Sequence, residues 1–465
     1  MVKKQVVDSC QIEKKRVKNF LNTEVKSYAQ YVLRNRTMPN IMDGLRVGGR
    51  KILWAALTGD LAKKKFVKMP ALIGDSLKLH YNHGDASLAS TIVNFCCKHL
   101  NNYAPLEAIG QIPSLRVPKC DTATRYLMIR KSPFLEFFMY DKELLEIQED
   151  EGEKIEPTFF LPIIPFTLLY RTGAPGFGFS FKAFSYNIDD IIDNTIQAVL
   201  NGSCIFSGIE LKPEIVGIKP ENLIFNSNKN KWYNVGEYEL DWENNRLIVR
   251  DLPYNVSFEN YEELLQSLKD KVIITDWMNL SEKDKLTYVI KFPMNRMKTL
   301  YENKWKFFQM FKLYSPIPND ILNCIDEDGK SILFFETPYE LIDCFVKKRL
   351  KYYEKRKTRT IKVLKEQIQE YTYRIDFINK VIDGTIVVMK RKRNDILEDL
   401  KKFNIPSSVL DMKIWKLTKE EIEDLNDKII KTKKELEYIE KTTIQEMYIF
   451  DLIEFKNKYS VIINK

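Results

Sequence analysis

Apolar residues recur at alternating steps of three and four in two long stretches toward the end of the chain. The first seam consists of Ile361, Leu364, Ile368, Tyr371, Ile375, Ile378 and Ile382. The second consists of Ile422, Leu425, Ile429, Thr432, Leu436, Ile439 and Thr443. This heptad spacing is typical of a coiled coil. Because Asp383 and Gly384 end the first seam, we predict an antiparallel coiled coil with a globular tip at about residues 383–417. Two ordinary amphipathic helices of a bundle are the alternative.

The start of this region is marked in the sequence. Thr337-Pro338-Tyr339-Glu340 combines a capping threonine, a proline at the first helical position and a glutamate three residues after the cap. These residues satisfy or remove free backbone N–H groups at a helix start, so they predict that a helix begins there. Residues 336–465 are therefore assigned to one coiled-coil region.

Shorter patterns fill the preceding part of the chain. In residues 23–185, helical spacing predicts a helix that ends at Pro39 and three more around residues 52–57, 71–77 and 88–95. Short helices with basic ends favour a helix-turn-helix or winged-helix arrangement.

In residues 186–335 the pattern of apolar residues predicts mostly strands. A predicted helix over residues 188–200 precedes alternating segments, of which 236–242 and 246–252 read as a hairpin, with further strands at 287–292 and 331–335. The whole chain is thus predicted to be an α+β multidomain protein, and residues 1–22 form a basic, polar lead-in.

Composition excludes some classes of protein. The 465 residues include 73 Lys and Arg against 64 Asp and Glu, a formal net charge of +9. This excess is compatible with a polyanionic partner but does not require one. No run of about 18 apolar residues occurs, so no membrane span is predicted. The charged start lacks a secretion signal, and the seven scattered cysteines favour reduced thiols in the cytoplasm.

Several familiar chemical sites are missing from the sequence. No G-x-x-x-x-G-K-[ST] segment is present, which argues against an ATP-binding loop of that kind. A zinc site among His80, His83, Cys96, Cys97 and His99 is disfavoured, because adjacent cysteines in a helix cannot easily face one metal. No tight acidic cluster stands out, so no metal ligands are assigned to this chain.

Basic residues are dense in the first third of the chain. They are Arg34, Arg36, Arg46, Arg50, Lys51, Lys63, Lys64, Lys65, Lys68, Lys78, Arg116, Lys119, Arg125, Arg130 and Lys131. Such a density fits a surface that reads the DNA backbone, where each neutralised phosphate releases counterions. A solvated basic face without a ligand has the same composition, so charge alone leaves both interpretations open.

Four motifs in this part of the chain decide between those interpretations. They are residues 36–53 (RTMPNIMDGLRVGGRKIL), 81–85 (YNHGD), 121–126 (DTATRY) and 156–165 (EPTFFLPIIP). In this order and spacing they resemble motifs of the DNA-cleavage subunit of type IIA DNA topoisomerases. Within that family the chain is most similar to the T4-type bacteriophage branch.

The resemblance implies a fold and a set of domains. Residues 23–185 would form a winged-helix DNA-cleavage domain with the active-site tyrosine, and 186–335 an α/β tower domain. Residues 336–465 would form the coiled coil and its dimerisation gate. Double-stranded DNA would be the substrate, and the chain would form a homodimer through the coiled-coil gate.

The resemblance also assigns roles to particular residues. A free tyrosine side chain has a pKa of about 10 and is a weak nucleophile without help. Tyr126 would attack a DNA phosphodiester, Arg125 and Arg36 would stabilise the charge that develops, and His83 would orient or protonate an oxygen. The residues implied to contact DNA are Arg50, Lys51, Lys78 and Arg116, which would bind phosphates, and Ile164, which would wedge into a base step.

The chain departs from the family pattern at three places. Asn82 replaces the first histidine of the paired motif, so only His83 is carried over. The turn before Arg116 reads Ile112-Pro-Ser-Leu, and the loop after the isoleucine segment reads Arg171-Thr-Gly173. Arg116 is kept as a matching cation, whereas the local turn before it and the loop at 171–173 are expected to differ from those of the family.

Other parts of the reaction would come from other chains. The family uses Mg²⁺ held by an acidic Toprim fold and ATP bound by an ATPase, so both are expected on partner subunits. The early end of the chain after the coil predicts relaxation and decatenation instead of negative supercoiling. The alternatives are a cellular gyrase or topoisomerase IV A-type subunit and a non-catalytic architectural DNA-binding protein with a coiled coil.

Overall fold

The protein is described here by a computed structural model that covers residues 16–463 except 121, 171–172, 177, 283–284, 389–390 and 414–416. The chain forms two compact units. The first contains Met1–Ala198 and Ser203–Phe345, and the second contains Val199–Gly202 and Val346–Lys465. The predicted boundaries at residues 22, 185 and 335 stay predictions.

The first described segment is helical but not a regular α-helix. Helices α1 (Val17–Phe20) and α2 (Lys26–Val32) alternate with π-helical turns at Leu21–Val25 and Leu33–Thr37. Met38 leaves the helical conformation with ψ of 135°, as expected for the residue before a proline. The predicted end at Pro39 is therefore confirmed, whereas the π turns were not predicted.

Four helices and a small sheet follow. The helices are α3 (Val47–Thr58), α4 (Asp60–Lys63), α5 (Met69–Leu77) and α6 (Asp85–Cys96). The antiparallel sheet has the order β1-β3-β2, with β1 at Val67–Lys68, β2 at Leu106–Ile109 and β3 at Met128–Lys131. Ile52, Leu72 and Ile92 are fully buried between the helices. Three packed helices with a β2–β3 wing confirm the predicted winged-helix arrangement.

The rest of the first unit is rich in strands. Its elements are β4 (Ile147–Asp150), β5 (Glu153–Pro157), β6 (Gly173–Pro175), β7 (Ser180–Lys182), α7 (Ile188–Asn201), β8 (Leu223–Asn226), β9 (Lys231–Val235), β10 (Tyr238–Asp241), β11 (Arg246–Val249), α8 (Phe258–Asp270), β12 (Asp276–Asn279), β13 (Tyr288–Lys291), α9 (Arg296–Tyr301), α10 (Lys304–Met310), β14 (Tyr314–Pro316), β15 (Leu322–Ile325) and β16 (Ile332–Phe335). Short 3₁₀ helices lie at Thr124–Tyr126, Pro133–Met139, Lys142–Leu144, Phe166–Leu168, Pro220–Asn222 and Ser227–Lys229, with one more, Ser407–Asp411, in the second unit. Together with the winged helix, these elements confirm the α+β class.

The predicted hairpin lies within a four-stranded antiparallel sheet of order β10-β11-β13-β12. Asp241 pairs with Arg246, and Asn245 turns the chain with a φ of +49°. Leu247 and Tyr288 from the sheet pack with Tyr261 from α8 in a common apolar core. The other sheets have the orders β14-β9-β8, β15-β16, β4-β5 and β6-β7.

A tight turn before α3 contacts a distant segment. Gly44 has a φ of +67°, a conformation that favours glycine. A Cβ atom at Gly44 would lie 2.5 Å from the backbone nitrogen of Thr167. The backbone N–H of Phe160 donates to the Asp43 carboxylate at 3.0 Å. The turn is therefore packed directly against residues 160–167.

The second unit is mostly helical. Its helices are α11 (Pro338–Ile382), of which residues 338–345 belong to the first unit, α12 (Arg393–Lys402), α13 (Lys419–Lys441) and α14 (Ile444–Ile463). The predicted helix start is confirmed, because α11 begins at Pro338 and the N–H of Glu340 donates to the Thr337 hydroxyl at 3.3 Å.

Helices α11 and α13 run antiparallel, as predicted. Lys365 pairs with Glu440 at 3.0 Å, and Lys357, further toward the start of α11, donates to the Thr442 carbonyl at 2.7 Å. At the far end of the coil, Phe377 and Ile386 pack with Ile396, Leu400, Ile405 and Val409 in an apolar cluster. A globule therefore lies at the tip of the coil.

The second seam does not continue to Thr443 within one helix. Helix α13 ends at Lys441, and Thr443 and Glu446 then form a new helix cap. The Glu446 N–H donates to the Thr443 hydroxyl at 3.2 Å, and the Thr443 N–H donates to the Glu446 carboxylate at 2.7 Å. Helix α14 then stacks Tyr448 on Tyr353 of α11 with ring centroids 4.5 Å apart. The end of the coil thus has a three-helix, bundle-like character.

Candidate active site

Tyr126 stands at the entrance of strand β3. It ends the 3₁₀ turn Thr124–Tyr126, and its side chain is 67% exposed. The next residue, Leu127, is 1% exposed, and its carbonyl accepts a hydrogen bond from the Met69 N–H at 3.0 Å. The chain therefore buries the Leu127 side chain and leaves the Tyr126 side chain facing solvent.

Arg125 lies directly beside this phenol. The centre of its guanidinium is 5.0 Å from the centroid of the Tyr126 ring, within the range of a cation–π contact. Both side chains are exposed. The structure therefore places a permanent positive charge next to an accessible hydroxyl. Asp121, the first residue of this motif, lies outside the described residues.

Arg36 and His83 are brought together from segments 47 residues apart. Arg36 Nε donates to His83 Nε2 at 3.2 Å, and Arg36 Nη2 lies 3.2 Å from Nδ1. The His83 ring also packs edge-on against Tyr81, with centroids 5.2 Å apart. Because a guanidinium only donates hydrogen bonds, Arg36 fixes the orientation of the imidazole.

Two cavities flank His83. Arg36, Arg46, Tyr81 and His83 line one of about 660 Å³. His83 and Tyr81 also line a second, of about 390 Å³, together with residues of α3 and β5. Tyr126 is not among the residues that line the cavity of about 660 Å³. The four residues predicted to be catalytic thus form two contacting pairs, Arg125 with Tyr126 and Arg36 with His83.

Arg46 belongs to this site, although sequence reasoning assigned it no individual role. Burial lowers the pKa of its guanidinium below the ordinary value, and the neighbouring Tyr81 partly opposes that shift. A partly desolvated cation at the start of α3 is a favourable neighbour for an anion. The signal for Arg46 was its place in the basic run, which does not distinguish it from its neighbours.

Arg50 and Lys51 are buried, at 4% and 6% exposure. Arg50 Nε donates to Asp43 at 2.6 Å and Nη2 to the other carboxylate oxygen at 3.0 Å. Lys51 Nζ lies 2.8 Å from Glu156 and also donates to the carbonyl of Leu79. Their phosphate contacts stay predictions, and such contacts would require both side chains to leave these carboxylates.

The remaining predicted DNA contacts differ in exposure. The Lys78 side chain is 77% exposed and pairs with Asp75 at 2.8 Å, a contact that raises the pKa of Lys78. Arg116 pairs with Asp251 at 2.8 Å, and burial lowers its pKa. Ile164 is fully buried, so the proposed wedge would have to emerge from the core. Of the three, Lys78 is the most accessible to a phosphate.

The described residues hold no group of three or more His, Cys, Asp or Glu side chains that could bind a metal ion. The described part of the chain therefore offers no cluster that would supply three such ligands to a Mg²⁺ ion. No helix in that part is both long and apolar enough to cross a bilayer.

The chain was compared with known protein families, individual proteins and solved structures. Residues 36–456 match the sequence model of the A-type subunit of DNA gyrase/topoisomerase IV. The match begins at Arg36 and includes His83, Arg125 and Tyr126. It also extends through the coiled coil to α14.

Individual proteins that are similar to this chain are also topoisomerases. The chain is 28% identical to the DNA topoisomerase medium subunit of Enterobacteria phage T4, with 96% of this chain and 100% of that protein covered. It is 29% identical to the mitochondrial DNA topoisomerase 2 of Dictyostelium discoideum, with 94% of this chain and 35% of that protein covered. The chain thus spans about a third of the length of the topoisomerase 2 relatives that it matches first.

A solved structure shares the fold. The DNA-binding, cleavage and re-ligation domain of Plasmodium falciparum topoisomerase II superposes with a TM-score of 0.80 at 25% identity. The superposition covers 96% of this chain and 66% of that chain.

Proposed function

The chain belongs to the family of DNA gyrase/topoisomerase IV A-type subunits, and from this we propose that it is the DNA breakage–reunion subunit of a type II topoisomerase. The observation that carries the proposal is the exposed Tyr126 phenol beside the Arg125 guanidinium, within a winged-helix domain of this family. Double-stranded DNA is the proposed substrate.

Tyr126 is the proposed nucleophile. Its hydroxyl loses a proton, its oxygen forms a bond to a DNA phosphorus, and the bond from that phosphorus to the 3′ oxygen breaks. The 3′ oxygen takes up a proton, and the DNA is left as a 5′-phosphotyrosyl ester. Because one phosphoester replaces another, the reverse reaction rejoins the strand without an external energy source.

The neighbouring cations stabilise charge in this reaction. Arg125 lies against the ring of Tyr126, and Arg36 with His83 offers donors for the phosphate oxygens. Preorganised charge of this kind is usually the largest catalytic contribution. Arg46 adds a further positive charge in the cavity lined by Arg36 and His83.

The metal and the nucleotide are assigned to partner chains. We propose that a Toprim fold on a partner subunit supplies Mg²⁺ and that an ATPase, on the same or a second partner, binds ATP. Two tyrosines must act on opposite strands, so a homodimer through the coiled-coil gate is proposed. The described cysteines Cys96, Cys97, Cys120, Cys204 and Cys324 are not in disulfide bonds, which fits the proposed cytoplasmic compartment.

Substitution of the nucleophile tests the proposal. With the partner subunits and Mg²⁺ present, Tyr126→Phe should abolish denaturant-trapped protein–DNA adducts and leave DNA affinity nearly unchanged. Tyr438 of α13 is 66% exposed and supplies a matched control, since Tyr438→Phe should still form adducts. Adducts that persist in Tyr126→Phe would remove Tyr126 from this role.

The reaction outcome is tested separately. The reconstituted enzyme should relax supercoiled plasmid and decatenate linked circles in the presence of ATP. Net negative supercoiling of a relaxed plasmid would instead indicate a gyrase-type subunit, which the family match also includes.

A further inference from the structure

The segment that carries His83 is held from two sides. The carbonyl of Leu79 accepts a hydrogen bond from Lys51 of α3. The next residue, His80, has a φ of +55°, a conformation that is uncommon for a residue with a side chain. Its ring lies 3.1 Å from Asp150 and 3.4 Å from Glu153, which belong to β4 and β5. The chain is thus fixed immediately before Tyr81 and His83.

The Lys51 ammonium is buried and connects Glu156 to the Leu79 carbonyl. The Lys51 side chain is 7% exposed and that of Glu156 is 2% exposed, and their charged atoms lie 2.8 Å apart. A charge removed from water at this depth is stable only when it is paired and hydrogen-bonded. Glu156 supplies the opposite charge, and the Leu79 carbonyl accepts a second hydrogen bond.

Strands β4 and β5 are therefore linked to the Leu79–His83 segment at two places. Glu156 of β5 reaches Leu79 through Lys51, and Asp150 and Glu153 near the hairpin turn reach His80. Gln148 of β4 donates to the Glu156 carbonyl at 3.3 Å and ties the two strands together at this position. Lys51, Glu156, His80 and His83 line the same cavity.

We propose that Lys51 and Glu156 are positioning residues, which hold the Leu79–His83 backbone so that the His83 imidazole meets Arg36. The proposal rests on the proposed function only in that His83 serves DNA cleavage. It gives Lys51 a role different from the phosphate contact that its place in the basic motif suggests. A misplacement of about 1 Å in a catalytic group can cost about 10²-fold in rate.

The first test observes the histidines directly. The chain has only three, His80, His83 and His99, so imidazole signals of the histidine-labelled full chain are assignable by single substitutions. Lys51→Met keeps a long, unbranched side chain but removes its charge and donor. It should shift the His83 signals and leave those of His99 in place. Ile52→Val, at a fully buried position of the same helix, is the matched control and should leave both in place.

The second test measures cleavage in the complex with partner subunits and Mg²⁺. Lys51→Met should reduce the rate of adduct formation about 10²-fold, and Glu156→Gln, which keeps an acceptor for Lys51, should reduce it less. His83→Ala should also slow cleavage. If Lys51 acts through His83, the Lys51→Met/His83→Ala double variant should be little slower than His83→Ala alone.

The outcomes separate the roles of Lys51. Multiplying effects in the double variant, or unchanged His83 signals in Lys51→Met, would overturn positioning. A phosphate contact would instead lower the slope of log affinity against log salt by about 1 in Lys51→Met. Failure of the wild-type complex to form adducts would count against the proposed function, whereas the histidine signals test positioning without any cleavage.

Discussion

Two basic regions of the first unit place their positive charges in opposite environments. On α3, Arg50 and Lys51 are almost fully buried, and each is paired with a carboxylate. On the turn before β3, Arg125 is exposed and lies beside an exposed tyrosine. Both regions contribute to the same sequence signal of basic residues, yet only the second exposes its charge to solvent. Net positive charge therefore counts buried, paired cations and exposed cations together.

The largest expected effect comes from removing an internal partner. Asp43→Ala would leave Arg50 buried without its carboxylate and should lower the free energy of unfolding by about 3–5 kcal/mol, as measured by denaturant titration. Asp424→Ala removes the partner of an exposed pair with Lys428 and should cost no more than about 1 kcal/mol. Equal losses in the two variants would contradict the contrast between buried and exposed pairs.

A similar loss is expected at Ile164. Because its side chain is fully buried, Ile164→Ala should lower the free energy of unfolding by about 2–5 kcal/mol through lost packing and a residual cavity. Thermal or chemical unfolding of the full chain measures this. Unchanged stability together with lost DNA bending would instead favour the wedge role and an exposed conformation of this residue.

A smaller effect on stability is expected at the exposed region. Arg125→Gln should change the free energy of unfolding by no more than about 0.5 kcal/mol, since its side chain is outside the core. It should also lower the slope of log DNA affinity against log salt by about 1, as expected for the loss of one phosphate contact. Arg50→Gln should do the reverse, with lower stability and an unchanged salt slope. A reduced slope in Arg50→Gln would show that this buried arginine reaches DNA.

The smallest effect concerns His80 and depends on pH. Hydrogen bonding to Asp150, assisted by Glu153, raises the pKa of His80 above its ordinary value of 6.5. The contact of the charged ring with the β4–β5 hairpin is therefore fully present below pH 6.5 and is lost as the pH rises through the raised pKa. Hydrogen exchange of the hairpin amides should become faster over that interval. In His80→Gln this dependence should vanish, and a titration of His80 at or below 6.5 would contradict the assignment.

The sequence predicted local structure well at most positions where a local cause exists. Thr337 and Glu340 mark the start of α11, and Asn244-Asn245 marks the turn between β10 and β11. Heptad spacing likewise predicted that α11 and α13 pair. The break at Thr442 was missed, although Thr443 and Glu446 form the same kind of cap that identified the start of α11. There the continuous periodicity outweighed a visible capping signal.

The site was predicted less completely, because burial depends on distant partners. Asp43 is seven residues from Arg50, and its pairing was readable in principle, but Glu156 is 105 residues from Lys51. Nothing near Lys51 in the sequence distinguishes it from a cation that faces DNA. The Arg36–His83 contact also joins separate segments, and the family resemblance assigned both residues to the site without predicting that they touch each other.

Gly44 has a consequence for how this protein can vary. Any side chain there would need an unfavourable backbone angle and would also overlap the main chain at Thr167. No substitution elsewhere in a side chain relieves a collision with a peptide group. A saturation library at this codon should accordingly yield glycine alone among functional clones, whereas Gly74, which has open space around it, should accept many replacements.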